Sequence, residues 1–114
     1  MSTYKTVNIE YGHPDVYTAL KILSNEKITA KKLGYKAIKI IHGYGSSGKG
    51  GKIKSAVLRE LTKEKLDGKI KHFVKGEEFS CFFESGREAV KLCPDLRDDR
   101  DYGRENDGVT ILIL

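Results

Sequence analysis

The sequence predicts a single α/β domain on a mixed sheet of about four strands, and three observations carry that expectation. Short strand-length apolar runs fall at residues 6–11, 36–41, 69–74 and 109–114. Between the first three, apolar residues recur at three- and four-residue spacing, the period of an amphipathic helix. Strand, helix, strand, helix, strand calls for right-handed crossovers and parallel pairing, whereas a strand arriving after a long excursion can pair antiparallel.

In chain order, residues 6–11 (TVNIEY) alternate Val7, Ile9 and Tyr11 against a polar face, a half-buried strand. Gly12, His13, Pro14 and Asp15 form a turn, with proline suited to the first helical position and an acid to the first turn. The helix that follows carries Val16, Ala19, Leu20, Leu23, Ala30 and Leu33, and Gly34 closes it. Ala37, Ile38, Ile40 and Ile41 then make a strand covered on both faces. Ile53, Val57 and Leu61 form the stripe of a second helix ending at Asp67-Gly68.

Residues 69–74 (KIKHFV) read as a third strand, with Ile70, His72 and Val74 on one face and Phe73 on the other. Phe79, Phe82 and Phe83 are expected to cover the sheet. Ser85 to Glu88 fits a capping box for a short helix ending near Cys93 and Pro94. Residues 96–108 are polar and loop-like, and Val109 to Leu114, apolar on both faces, belongs in the sheet centre. Residues 1–114 are expected to be one domain, without repeat or linker.

Hydrophobic residues make up 39% of the chain and charged ones 32%, ordinary for a globular domain. No apolar run approaches the ~18 residues of a membrane span, and the first residues lack a signal-peptide layout. A cytoplasmic protein without a membrane partner is expected. Two cysteines, Cys81 and Cys93, exclude a disulfide scaffold and read as reduced core thiols. The net charge of +5 is uneven: residues 31–75 hold most of the lysines, and residues 95–107 are rich in acids. That asymmetry suits a polyanionic partner.

The candidate site is the glycine loop His42-Gly43-Tyr44-Gly45-Ser46-Ser47-Gly48-Lys49-Gly50-Gly51-Lys52, followed by Lys54. A glycine turn between a strand and a helix start leaves backbone N–H groups free for an anion, with the helix dipole behind them. Lysines crowded at a helix start oppose that dipole, so a phosphate partner explains them better than helix stability does. His42 has the pKa range of a proton carrier, or else it bonds a neighbouring carbonyl and fixes the turn. Tyr11 and Tyr44 are candidates for stacking on bases. Lys36 and Lys39 read as surface or edge lysines, His72 as a core-edge histidine, and the acids at 98–101 and Asp107 as solvated loop residues. Gly43 to Lys49 also supplies G-x-x-x-x-G-K of a phosphate-binding P-loop, but Gly50 stands where a magnesium-binding hydroxyl is needed. A nucleotide-binding protein is thus the weakest alternative.

The run IIHGYGSSGKGGKIKSAVLREL resembles the central motif of the small MutS-related (Smr) domain, an apolar strand entering His-Gly-x-Gly and then a basic helix. The tail Asn106-Asp107-Gly108-Val109-Thr110-Ile111 is similar to that family's closing strand, with an extra-long segment at residues 77–107 here. The resemblance implies a two-layer α/β sandwich, like the C-terminal domain of translation initiation factor three. It implies binding to structured DNA or RNA, with metal-assisted endonuclease activity in some members and ribosome-associated adaptor roles in others. His-Gly-x-Gly carries over onto His42, Gly43 and Gly45. The family's Leu-Asp-Leu-His-Gly is replaced by Ile9-Glu10-Tyr11-Gly12-His13. Glu10 would stand for the aspartate, placing a magnesium or manganese ion, and His13 or His42 would handle protons. The altered strand end separates an endonuclease from a binding module that does not cut.

Overall fold

The computed structural model describes residues 2–43 and 49–114, with the side chains of residues 49 and 50 excepted. Tyr44, Gly45, Ser46, Ser47 and Gly48, named above as site residues, lie outside the described residues.

The order is β1 (Tyr4–Asn8), α1 (Val16–Lys32), β2 (Ala37–Ile41), α2 (Lys49–Leu66), β3 (His72–Lys75), α3 (Glu84–Leu92) and β4 (Val109–Ile113). The sheet runs β1-β2-β4-β3. β1 and β2 pair parallel, and β4 lies antiparallel between β2 and β3. The mixed four-stranded sheet with its βαβα start and central last strand is the expected one. Both crossovers step across the sheet in one direction, so one handedness puts α1 and α2 on one face. Ala19, Leu23, Ile53, Val57 and Leu61 pack there on Val7, Ile38, Ile40 and Leu112. The expected sandwich of sheet and helix pair thereby forms. The segment between β3 and β4 covers the other face, where Phe79, Ala89, Val90, Cys93 and Leu96 meet Ala37, Val74, Ile111 and Ile113.

Local chemistry sets the boundaries. Asp15 caps α1, its carboxylate accepting from Thr18 N–H at 2.8 Å, so Pro14 precedes the cap instead of opening the helix. At the other end Gly34, at φ +83°, donates to Lys31 O, and Tyr35 N–H reaches Ala30 O. These are the two bonds of a Schellman closure. β1 begins at Tyr4, before residue 6, and ends earlier than expected because Asn8 Oδ1 accepts from both Glu10 N–H (2.9 Å) and Tyr11 N–H (3.0 Å), turning the chain. Ile9 still bonds Ile41 O and is buried, but Tyr11 is 87% exposed rather than inward.

Other expectations are corrected. α2 begins at Lys49, so Gly50, Gly51 and Lys52 belong to its first turns and not to a loop. β3 begins only at His72, and Ile70 packs under α1 and α2 while His72 bonds Ser85 on the opposite side. The capping box does not form: Phe83 caps α3 without a side-chain bond, and Ser85 Oγ points to Glu78 instead. Phe79 covers the sheet, but Phe82 and Phe83 are exposed, as is Cys81, leaving Cys93 as the core thiol. Residues 94–98 form a 3-10 turn with Leu96 buried. Among the described residues no helix is long and apolar enough to cross a membrane.

Candidate functional site

Parallel β1 and β2 end at the edge where antiparallel β4 begins, since Ile41 pairs with both Asn8 and Val109. That edge gathers Glu10, His42, Gly43 and the residues before β4. His42 N–H and Gly43 N–H both donate to Gly108 O at 3.0 Å. Two amides expected to be free for an anion are therefore used in joining β2 to the turn before β4.

His42 is fully buried, on the α1/α2 side of the sheet. Its Nδ1 is 3.1 Å from Gly43 O and its Nε2 is 2.8 Å from Thr110 Oγ1. A carbonyl only accepts, so Nδ1–H donates to Gly43 O and the Thr110 hydroxyl donates to Nε2. Of the two roles read from the sequence, this geometry is that of the turn-fixing histidine. Burial lowers its pKa, outweighing the bond to Gly43 O. The imidazole is expected to titrate below the ordinary histidine value and to be the Nδ1–H form when neutral, read from its nitrogen shifts by NMR. A shift titrating near pH 6.5 would contradict the assignment. Because folding lowers this pKa, the group's contribution is intact above about 6.5 and declines as pH falls below it. Thr110→Val, which leaves Nε2 without a donor, should cost about 1–3 kcal/mol in urea denaturation.

Glu10 does meet the His-Gly motif. Gly43 is buried at φ +81°, and a Cβ there would overlap Glu10 Oε2 and lie 2.7 Å from Glu10 Cδ. Only glycine combines that left-handed backbone with so close a carboxylate. Glu10 and Gly43 line one wall of a cavity of about 370 Å³ on the second face of the sheet. His13 is exposed on the turn at φ +53°, its N–H donating to Glu10 O. The structure thus joins Glu10 to Gly43 and leaves His13 facing solvent.

The opposite wall holds a cluster that the sequence reading missed. Lys39 lies in the middle of β2, not at an edge, and is 4% exposed. Its ammonium sits 2.9 Å from Asp99 Oδ1 and 2.5 Å from Asp101 Oδ2. Tyr4 donates its hydroxyl to Asp99 at 2.7 Å, and Asn106 Nδ2 donates to Asp101 at 3.0 Å. Burial alone would raise both carboxyl pKa values, but hydrogen bonds from Lys39 and the other donors hold them below the usual aspartate range. Burial and the Asp99 bond push the Tyr4 phenol up. The signal was a lysine inside an apolar strand covered on both faces, where a cation must be paired. Asp99 and Asp101 are its partners and not solvated loop residues.

Lys54 is also committed. Its ammonium donates to both Glu77 oxygens (3.0 and 2.8 Å) and to Asp107 O (2.9 Å), binding α2 to the turn before β4. It is a structural cation, not a free phosphate contact. Lys52 is exposed and makes no ion pair among the described residues. With Gly51, Ser55, Arg59 and Val16 it borders an open cleft of about 570 Å³. The first turn of α2 holds no acid.

For a hard divalent ion the donors at this edge are few. Asp99 and Asp101 already serve Lys39, which leaves Glu10 as the carboxylate facing the cavity without an ion pair among the described residues. Among those residues no three His, Cys, Asp or Glu side chains gather as a metal-binding group. Among the described residues the cavity therefore offers a hard divalent ion the Glu10 carboxylate together with neutral oxygens. No family model, curated protein or solved structure matches the chain.

Proposed function

We propose that this chain is an Smr-like nucleic-acid-binding domain of the cytoplasm, holding DNA or RNA by its phosphates at the start of α2, without cutting it. The observation that carries this reading is the acid-free first turn of α2, where Lys52 stands exposed beside Ser55 and Arg59 and makes no ion pair among the described residues. A helix N-terminus with such cations is suited to phosphate oxygens. The motif resemblance of residues 40–61 and 106–111 points the same way. Binding without cleavage is favoured because His42 spends both ring nitrogens inside the protein and Glu10 faces the cavity as a lone carboxylate.

Lys49→Ala and Lys52→Ala are expected to weaken binding of labelled DNA or RNA to a similar degree for all sequences. Each should flatten the salt dependence by about 0.7–0.9 of a log unit per log unit of salt. Titrations unchanged in both variants would remove the proposal. One observation favours a second reading, a metal-assisted endonuclease: the Glu10 carboxylate lies directly over Gly43 at the cavity wall. Incubating labelled structured oligonucleotides with magnesium or manganese separates the two. Cut product that disappears in Glu10→Gln supports the enzyme, whereas bound but intact oligonucleotide supports a binding or ribosome-associated adaptor module.

A further inference from the structure

α1 and α2 lie side by side on one face of the sheet, and three open cavities follow the valley between them. The first, of about 570 Å³, lies between Lys52, Arg59 and Val16. The second, of about 550 Å³, has Tyr17, Lys21 and Glu60 on its walls. The third, of about 330 Å³, is bordered by Lys31, Glu64 and Lys69. The second and third share Lys27, Glu64 and Lys69, so the valley is continuous there. Lys27 is neutralised by its ion pair with Glu64. Lys21, Lys31, Lys52, Arg59 and Lys69 are exposed and make no ion pair among the described residues, facing a single unpaired acid, Glu60. Tyr17 stands 74% exposed on the wall of the second cavity.

A row of cations along a valley with an exposed aromatic ring is the arrangement that holds unpaired nucleic acid, phosphates on the cations and a base on the ring. In a duplex the faces of the bases are covered by their neighbours and cannot reach Tyr17. We infer that an unpaired strand of DNA or RNA lies along the α1/α2 valley, with Lys52 and Arg59 at one end, Lys31 and Lys69 at the other, and a base stacked on Tyr17. This rests on the nucleic-acid reading above and extends it from one helix start to the full length of α2. From residue 52 to 66 the helix rises about 21 Å, room for at most about six phosphates at ~3.4 Å each.

Fluorescence anisotropy with labelled oligo-dT of four, eight and twelve nucleotides, and with a blunt duplex, tests the inference. Affinity should rise to about eight nucleotides and then level off, with the duplex bound more weakly. Lys21→Glu combined with Lys69→Glu should weaken oligo-dT at least tenfold. Tyr17→Ala should weaken it roughly five- to one-hundredfold, while Tyr17→Phe retains binding. These side chains are exposed, and circular dichroism checks that each variant is folded. Oligo-dT binding unchanged in both the charge-reversed pair and Tyr17→Ala, but lost in Lys52→Ala, would overturn the valley and leave the helix-start site standing. Preference for the duplex with Tyr17→Ala silent would also overturn it. Absence of binding to both probes by the unaltered protein would overturn this inference and the nucleic-acid reading together.

Discussion

Replacing Lys39 by methionine is expected to destabilise the domain by about 3–5 kcal/mol, the cost of removing one partner from a buried ionic cluster. Methionine fills much of the space of the lysine stem. What is lost is the ammonium that lets Asp99 and Asp101 remain charged beneath the residue 94–108 segment, where their side chains are 5% and 11% exposed. For a domain of this size the loss corresponds to a fall in Tm of more than about 10 °C.

The pH dependence gives a second, sharper reading of the same variant. In the unaltered protein both carboxyls have lowered pKa values. Their stabilising contribution is complete above the unfolded value of about 3.9 and is lost as pH falls through the lower folded values. Without Lys39, burial, the largest influence on both carboxyls, is opposed only by Tyr4, Asn106, Arg100 and a backbone N–H, and is expected to lift the folded values above the unfolded ones. The sign then reverses, and Lys39→Met should gain stability as pH is lowered from 7 to 5. Urea denaturation at the two pH values measures both effects. A loss under about 1 kcal/mol at pH 7, with no gain at pH 5, would show that the cluster does not hold this segment to the sheet.

Gly76→Ala should cost about 3 kcal/mol, the upper end for overpacking. Gly76 follows β3 and begins the excursion. An added methyl group would overlap the carbonyl oxygen of Asn106 and lie 2.8 Å from both Val109 O and Val109 Cγ2. Backbone on both sides cannot rotate away as a side chain would, so the turn before β4 must shift. That turn carries Gly108, whose carbonyl accepts from His42 and Gly43. The expected result is a lower urea midpoint together with loss of amide protection at residues 42 and 43, measured by hydrogen exchange. An unchanged midpoint would mean that the two chain segments separate freely there.

The regular elements were legible because local patterns suffice for them. The Ile53, Val57 and Leu61 stripe, the Gly34 closure and the doubly apolar Val109–Ile113 run each encode their own structure, and all three formed. Errors arose where a side chain took a partner that the local pattern did not specify. Asn8 turned the chain and moved Tyr11 outward. Ser85 pointed to Glu78 and not to its own helix start. Lys54 looked like a phosphate contact until Glu77 and Asp107 were found on it. His42 had two roles open to it, and Thr110, far away in sequence, supplied the bond for one.

From residue order alone came the fold class, the central place of the last strand and the position of the His-Gly loop at the strand ends. Periodicity, turn chemistry and crossover handedness act over a few residues or follow from element order, so no tertiary information is needed. Which charges are spent and which remain available was decided only by the folded chain. An ammonium is neutralised by whatever carboxylate the topology brings within about 4 Å. For Lys39 those carboxylates lie sixty residues away and more, while Lys52, close to it in sequence, is left exposed.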